Sequence, residues 1–467
     1  MIGMMRRRFF MGILCVAVAW PAAQAKAADG DPMTLHDCMA YAVSHSTKMR
    51  IRSAETGDAR IARRDAILAA FTPQISASTY AYYNFGRSID PQTNTYFTQT
   101  SFHNNYGISA GFSLFDGFSA VNNLRISRTG LLISESQEKQ AEADICLAVM
   151  QAYCNVMYYK HLAEVCEGQV ATAESALRKA GREEELGRKG HADVVQMEAE
   201  LAERRYDLTN MYNTYRSHLM TLSDLMFWPA DEELVIDAHL PEPDPVSAEA
   251  EAEAVTDFAL THDPSLRIAG WQVENARRSL STAKWQLLPS VGLYAGWNTS
   301  YYSYKGAQTD AFDLQFRNNG GEYVQLSVSI PIFNRLQGHS RIAMRRNALD
   351  RATAEYDQKR RDVESEVRRA VQDRDGAALA WQQARRKAAV QEEAYNLNLK
   401  KLDQGMISPL EFQTATGNYL KAKADEMNSL FTYLIRQAVV RYYGGEEYLD
   451  QQMGYTSRYE TMQERRK

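Results

Sequence analysis

Beyond its first 25 residues, the chain has no run approaching the roughly 20 apolar residues that a membrane-crossing helix requires. Prolines are few, 12 in 467 residues, and none falls between Pro91 and Pro229 or between Pro331 and Pro409. Cysteine is scarcer still: Cys15 lies in the leader, and only Cys38, Cys146, Cys154 and Cys166 follow it. The last three sit on one helical stretch, roughly 12 and 18 Å apart along its axis. That is too far to bridge, so they read as small buried side chains and not as a disulfide framework or metal site. Charge of one sign is also missing. A net charge of -5 with 24% charged residues excludes the basic footprint of a nucleic-acid binder. No G-x-S-x-G or HExxH appears, and the nine histidines are scattered, so neither enzyme chemistry nor a cofactor is expected.

What is present starts with a leader. Arg6, Arg7 and Arg8 precede the short apolar run Phe9 to Ala19, and Ala23-Gln24-Ala25 supplies small residues at cleavage spacing. Residues 1–25 therefore read as a cleaved secretory signal, and the mature chain as exported. Small residues do not precede Cys15, so no lipidation is expected.

The mature chain says the same thing twice. "AYAVSHSTKMRI" from Ala40 echoes "DFALTHDPSLRI" from Asp257, and "LGRKGHADVVQMEAEL" from Leu186 echoes "KLDQGMISPLEFQTAT" from Lys401. His45 and His262 lie 217 apart, Pro73 and Pro289 216, Phe115 and Phe333 218, and Gly190 and Gly405 215. Four landmarks within three residues of one offset indicate tandem copies, spanning 26–228 and 247–443. A Pro- and acid-rich linker (229–246) joins them, and a polar tail (444–467) follows.

Each copy orders helix, strand, loop, strand, very long helix, turn, helix. The first helices are expected over about Leu35–Phe71 and Ala248–Leu288, ending at Pro73 and Pro289. Strands are expected at about 74–85, 105–115, 290–301 and 323–333. Ile75, Ala77, Thr79 and Ala81 alternate with Gln74, Ser76, Ser78 and Tyr80, and Val324, Leu326 and Val328 alternate with Gln325, Ser327 and Ser329. Such strands are close to the 9–11 residues that cross a bilayer at a tilt, apolar outward and small or polar inward. Proline-free segments from about Ser119 to Leu186 and His339 to Leu402 allow helices of roughly 100 Å at 1.5 Å per residue, which need coiled partners along their length.

Four membrane strands cannot stand alone, because an open sheet edge in lipid costs several kcal/mol per unsatisfied group. Several protomers must share one barrel. Two copies give eight strands and a filled lumen, and three give twelve and room for a passage.

The repeat, the junctions "FSLFDG" and "IPIFNR" and the turns "GRKGHADVVQ" and "DQGMISPLEF" together resemble the outer-membrane efflux protein family, the TolC-like channels, over nearly the whole mature chain. The segment "NFGRSIDPQTNT" (84–95) is similar to the first external loop of Bacteroidota members. The resemblance implies an α+β membrane protein. A transmembrane β-barrel is shared between protomers, four strands per chain, and continues into a long periplasmic α-helical coiled-coil barrel. It also implies a homotrimer, a periplasmic adaptor (membrane fusion) protein, an inner-membrane RND or ABC transporter, and outer-membrane lipid around the barrel. The implied function is a passive exit duct for small molecules in a tripartite efflux system. The outer-membrane component of a type I protein secretion system is the alternative within that class, and a structural periplasmic coiled-coil protein the alternative outside it.

The two helix–helix turns, at about 187–193 and 403–408, are the candidate functional sites. Ser408-Pro409-Leu410-Glu411 reads as N-cap serine, proline at the first helical position and glutamate at N3. Asp193-Val194-Val195-Gln196 is expected to occupy the same places in the first copy. Gly190 and Gly405 are expected to end the long helices in the left-handed conformation. By resemblance, acids just after the second turn form rings that narrow the entrance. The first matches Glu411, and the second falls on the uncharged Thr414. The family's tip arginine falls on Ile407 and its acidic partner on Val194, so no closing Arg–Asp link carries over. The resemblance also implies adaptor docking near Arg188, Lys189, Gly190, His191, Gln404, Gly405 and Met406.

Overall fold

The computed structural model describes residues 32–89, 94–98, 100–237, 250–305 and 309–451. The expected leader, the middle of the expected external loop (90–93), the second half of the linker (238–246) and the end of the tail (452–467) lie outside the described residues.

The first copy comprises α1 (Leu35–His45), α2 (Thr47–Phe71), β1 (Gln74–Asn84), β2 (Arg87–Ile89), β3 (Tyr96–Thr98), β4 (Ser101–Phe115), α3 (Ser119–Glu185) and α4 (His191–Met226). The second comprises α5 (Ala250–His262), α6 (Pro264–Trp285), β5 (Ser290–Tyr304), α7 (Phe312–Asn318), β6 (Gly321–Ser329), α8 (Gln337–Asp403) and α9 (Pro409–Tyr443). Helices α3 and α8 have the same length, 67 residues, and every α8 position lies 218 after its α3 counterpart.

The single opening helix expected in each copy is broken once. Ser46 is extended and its hydroxyl accepts from Lys48 N, so α1 ends and α2 begins there. Asp263 does the same for α6, because Pro264 clashes with a helical residue before it. The two corners repeat in detail. Tyr41 stacks on His45 at 3.9 Å, and 217 residues later Phe258 stacks on His262 at 4.1 Å.

The four long strands form one antiparallel sheet in the order β1-β4-β5-β6. One row crosses it as Ile75, Ala110, Ala295 and Val324, and the next, on the opposite face, as Ser76, Ser109, Gly296 and Tyr323. Thus one face is apolar and the other polar or small. The last strand ends at Ser329, short of the expected 333, because Pro331 has no N–H to give a ladder. β4 and β5 run longer than expected, and two features had no expectation. β2 and β3 form a small hairpin with Arg87 over Tyr96 at 4.4 Å. α7 covers β5 beyond the end of β6: the Gln315 side chain accepts from Tyr302 N and donates to Tyr302 O, as a neighbouring strand would.

Each rim helix continues a strand: α2 enters β1, β4 enters α3, α6 enters β5 and β6 enters α8. At both exits two consecutive residues are left-handed, Gly117-Phe118 (φ 68 and 60) and Arg335-Leu336 (φ 54 and 63). Asp116 accepts from Ala120 N at 2.9 Å, and Asn334 from Gly338 N at 3.4 Å, so each acceptor side chain holds the first turn of its long helix.

The largest core lies midway along the long helices, where α1, α3, α4 and α9 meet around Cys38, Met150, Tyr153, Met157, Leu222 and Leu434. The chain returns to it after α4. Met33 pairs with Ile236, and Tyr153 donates to Asp237 O at 2.8 Å. Cys38, Cys146, Cys154 and Cys166 are buried and free. Burial pushes Cys146 and Cys154 up to about 12 and Cys166 up to about 11, so these thiols stay protonated and unreactive.

Candidate functional site

The two helix–helix turns share one construction. Each long helix closes with a left-handed glycine, Gly187 (φ 70) or Gly405 (φ 69). The following amide reaches back to the helix: Arg188 N donates to Glu183 O and Met406 N to Lys401 O, both at 2.8 Å. This is the Schellman arrangement, which satisfies the last carbonyls. The left-handed glycine of the first turn is therefore Gly187 and not Gly190. Gly190 is extended (φ -81, ψ 154) and is the N-cap of α4. Asp193 and Gln196 are correspondingly three positions deeper than expected. Asp193 is at N3, the position of Glu411, and Gln196 matches Thr414.

The second turn carries a full capping box. Ser408 Oγ accepts from Glu411 N at 3.3 Å, and Glu411 Oε2 accepts from Ser408 N at 3.2 Å. Pro409 stands in the first turn. Glu411, Thr414, Gln404, Gly405, Met406 and Ser408 are exposed, as are Arg188, Gly190 and His191. His191 Nδ1 lies 2.8 Å from Glu184, and Lys189 pairs with Glu183 at 3.0 Å.

Beneath the tips, Ala180, Val194, Met197, Tyr395, Leu402 and Phe412 form a small core that ties both turns together. Val194 belongs to that core, so it offers nothing polar to a closing link. Two polar ties join the pairs α3–α4 and α8–α9 instead. Lys179 Nζ reaches Asp403 O at 2.7 Å and Oδ1 at 3.0 Å, and Gln413 donates to Glu203.

A buried charge sits one level deeper. Arg204, 6% exposed, donates through Nε to Glu200 and through a terminal nitrogen to Asp207, each at 2.9 Å. Burial raises the Glu200 carboxyl above its ordinary value, opposed by Arg204. The stretch "EAELAERRYD" reads in sequence as a solvated face, and only packing shows which arginine is enclosed.

On the polar face of the sheet, Tyr294 and Tyr323 lie flat over glycines. A Cβ on Gly292 would stand 2.9 Å from the Tyr294 ring, and one on Gly296 would stand 2.7 Å from the Tyr323 ring. The glycines make room for the rings, which remain exposed on that face. Tyr294 two residues from Gly292 is a signal the sequence offers, whereas Tyr323 meets Gly296 only through the β5–β6 register. Among the described residues, no cluster of His, Cys, Asp or Glu could hold a metal, and no helix is long and apolar enough to cross a membrane.

Residues 51–226 and 255–444 match the model of the outer membrane efflux protein family. This chain belongs to that family. A curated relative is the outer membrane efflux protein BepC of Brucella suis biovar 1 (strain 1330), 26% identical over 322 residues. The match covers 67% of this chain and 62% of that protein's length. Among solved structures, the chain is similar to a membrane protein from Pseudomonas aeruginosa (TM-score 0.73, 13% identity, covering 91% of this chain and 92% of the other). It is also similar to VceC of Vibrio cholerae (0.70, 15%, 88% and 96%). A third is the open state of the MtrE channel of Neisseria gonorrhoeae (0.67, 17%, 89% and 88%). The fold of this efflux-family chain is thus the TolC-like one, a β-barrel shared between protomers and continued by a helical barrel.

Proposed function

We propose that this protein is the outer-membrane exit duct of a tripartite efflux system, passing small molecules from the periplasm or an inner-membrane pump to the exterior. The observation that carries this reading is the two-faced four-stranded sheet, open at β1 and β6, each strand joined to a helix and two of them, β4 and β6, running into 67-residue helices. Its apolar face suits lipid and its Ser, Gly and Tyr face suits an aqueous lumen. Three copies, each exported by its leader and not lipidated, close twelve strands around a passage. A duct of this kind performs no chemistry of its own.

In this reading the tips form the periplasmic entrance. Glu411 from three protomers supplies an acidic constriction, followed by the uncharged Thr414. Arg188, Lys189, Gly190, His191, Gln404, Gly405 and Met406 meet a periplasmic adaptor, which couples the duct to an RND or ABC transporter. Lys179–Asp403 and Gln413–Glu203 hold the entrance closed, in place of an Arg–Asp link.

Planar-bilayer recording tests both levels. Purified protein is expected to form cation-preferring channels, and Glu411→Ala to lower that preference and weaken block by polyvalent cations. Unchanged selectivity removes Glu411 from the constriction, and no conductance at all removes the duct.

A further inference from the structure

Charge is sorted along the length of the chain. The twelve residues of α2, α3, α6 and α8 that lie nearest the sheet reach roughly 18 Å below it. They hold eleven Lys and Arg against two acids, Asp65 and Glu274. In the twelve residues of α3, α4, α8 and α9 nearest the tips the balance is reversed, five Lys and Arg against eleven acids. A chain with a net charge of -5 thus carries a basic collar just below its strands.

The collar is not neutralised within the chain. Arg64 pairs with Asp65 at 3.0 Å, and Arg277 and Arg278 share Glu274. Arg341 donates to Gln286 at 2.8 Å. The other cations have no ion-pair partner among the described residues, and Arg60, Arg63, Arg125, Arg128, Arg345 and Arg346 are all exposed.

Between the collar and the sheet stand exposed apolar residues. On α2, Phe71 and Ile67 share a face with Arg64 and Arg60 at helical spacing, and Phe71 is 70% exposed. On α3, Val121 shares a face with Arg125 and Arg128, and on α6 the exposed Trp285 lies two turns from Arg278. Such apolar side chains gain nothing from an aqueous passage and suit the edge of the lipid. Helices α3 and α8 start at the sheet, so their side chains tilt back toward it. Arg125, Arg128 and Arg346 therefore reach up toward the headgroups while their stems cover apolar surface.

From the sorted charge and the apolar rim above it we propose that the collar binds the phosphates of anionic phospholipids in the periplasmic leaflet of the outer membrane. A guanidinium fork matches paired phosphate oxygens, and an anionic surface relieves the repulsion among neighbouring cations. Bound lipid holds the strand-to-helix junctions at headgroup level.

The proposal rests on the outer-membrane reading and adds the lipid that the rim selects. The test is thermal melting of lipid-stripped protein in mild detergent, with phosphatidylglycerol or phosphatidylcholine of the same acyl chains added. Wild type is expected to melt several degrees higher with phosphatidylglycerol. That difference should vanish near 1 M salt, where the Debye length is about 3 Å. The triple variant Arg125→Gln, Arg128→Gln, Arg346→Gln should lose at least half of the difference. A variant of equal charge change near the tips, Arg182→Gln, Lys400→Gln, Lys401→Gln, should keep it. If the first variant does not assemble, Arg60→Gln, Arg63→Gln, Arg345→Gln reads the same collar. Equal melting with the two lipids, an equal loss in the tip variant, or an equal rise with inorganic phosphate overturns the proposal. Any of these with a conducting wild type leaves the duct intact, whereas a wild type that forms no channel in planar bilayers overturns the duct reading first.

Discussion

The two strand-to-helix exits are built alike and held differently. Both turn through two left-handed residues, Gly117-Phe118 in the first copy and Arg335-Leu336 in the second. Gly117 lies against the backbone: a Cβ there would come within 2.7 Å of Trp285 O. Phe118 packs on the Trp285 ring at 5.4 Å, so α6 of the second copy closes over the first exit. The second exit has no aromatic ring over its left-handed pair among the described residues of one chain: Leu287 lies over Gly338 there, and Leu336 and Phe333 are more exposed than Phe118. One sequence unit used twice thus meets two environments, covered inside the chain and open at its edge. The residues differ accordingly: glycine where backbone crowds the turn, arginine where it is open.

A contrast of another kind stands near the tips, where both positions are buried. Arg204 is enclosed among α4 acids, whereas 218 residues later the buried position is Ala422. Arg204→Ala is expected to have the largest effect on stability, about 3–5 kcal/mol, because it leaves the Glu200 charge buried and unpaired. Urea unfolding would measure it. The double variant Glu200→Gln with Arg204→Met should recover most of the loss, and failure to recover would show that packing and not charge holds this level.

Next in size, Gly117→Ala should cost roughly 1–2 kcal/mol of left-handed strain plus the clash with Trp285 O, and should reduce the assembled protein in the outer membrane. Arg335→Ala keeps the left-handed residue and should be nearly silent, so equal losses at the two exits would break the comparison. Gly187→Ala and Gly405→Ala, both in open space with φ near 70, should each cost roughly 1–2 kcal/mol. A matched pair of values is the outcome that equates the two turns. Arg335→Gly should lie within about 1 kcal/mol of wild type on the stabilising side, because relief of strain exceeds the added chain entropy.

The smallest effect is electrostatic. His36 is raised from 6.5, first by its pairing with the Asp37 carboxylate 4.0 Å away, and Asp37 is lowered from 3.8, first by the same pairing. The His36 contribution is therefore whole below 6.5 and fades as pH climbs through the raised value. The Asp37 contribution is whole above 3.8 and fades as pH falls through the lowered value. His36→Gln should flatten the thermal-melting difference between about pH 5 and about pH 8.

Much of the architecture could be read from periodicity. Proline-free runs set the two long helices, and alternating Ser and Ile or Val marked the strands. The repeat fixed their order because each landmark occurs twice. The tips were harder to read. "ELGRKGHADV" offers two glycines, Gly187 and Gly190, within one short turn, and only backbone conformation distinguishes the left-handed Gly187 from the extended Gly190. The Gln315 amide standing in for a strand was invisible, because it depends on where β6 happens to begin. Arg204 could not be singled out among its charged neighbours, since which one is enclosed depends on the angle at which α4 meets the other helices.

The claim that four strands per chain close only with strands from other copies is tested most directly by native mass spectrometry of the protein extracted from outer membranes. The expected result is the mass of three mature chains held together until denaturation. A single chain at that step, folded and soluble in mild detergent, would contradict the shared barrel.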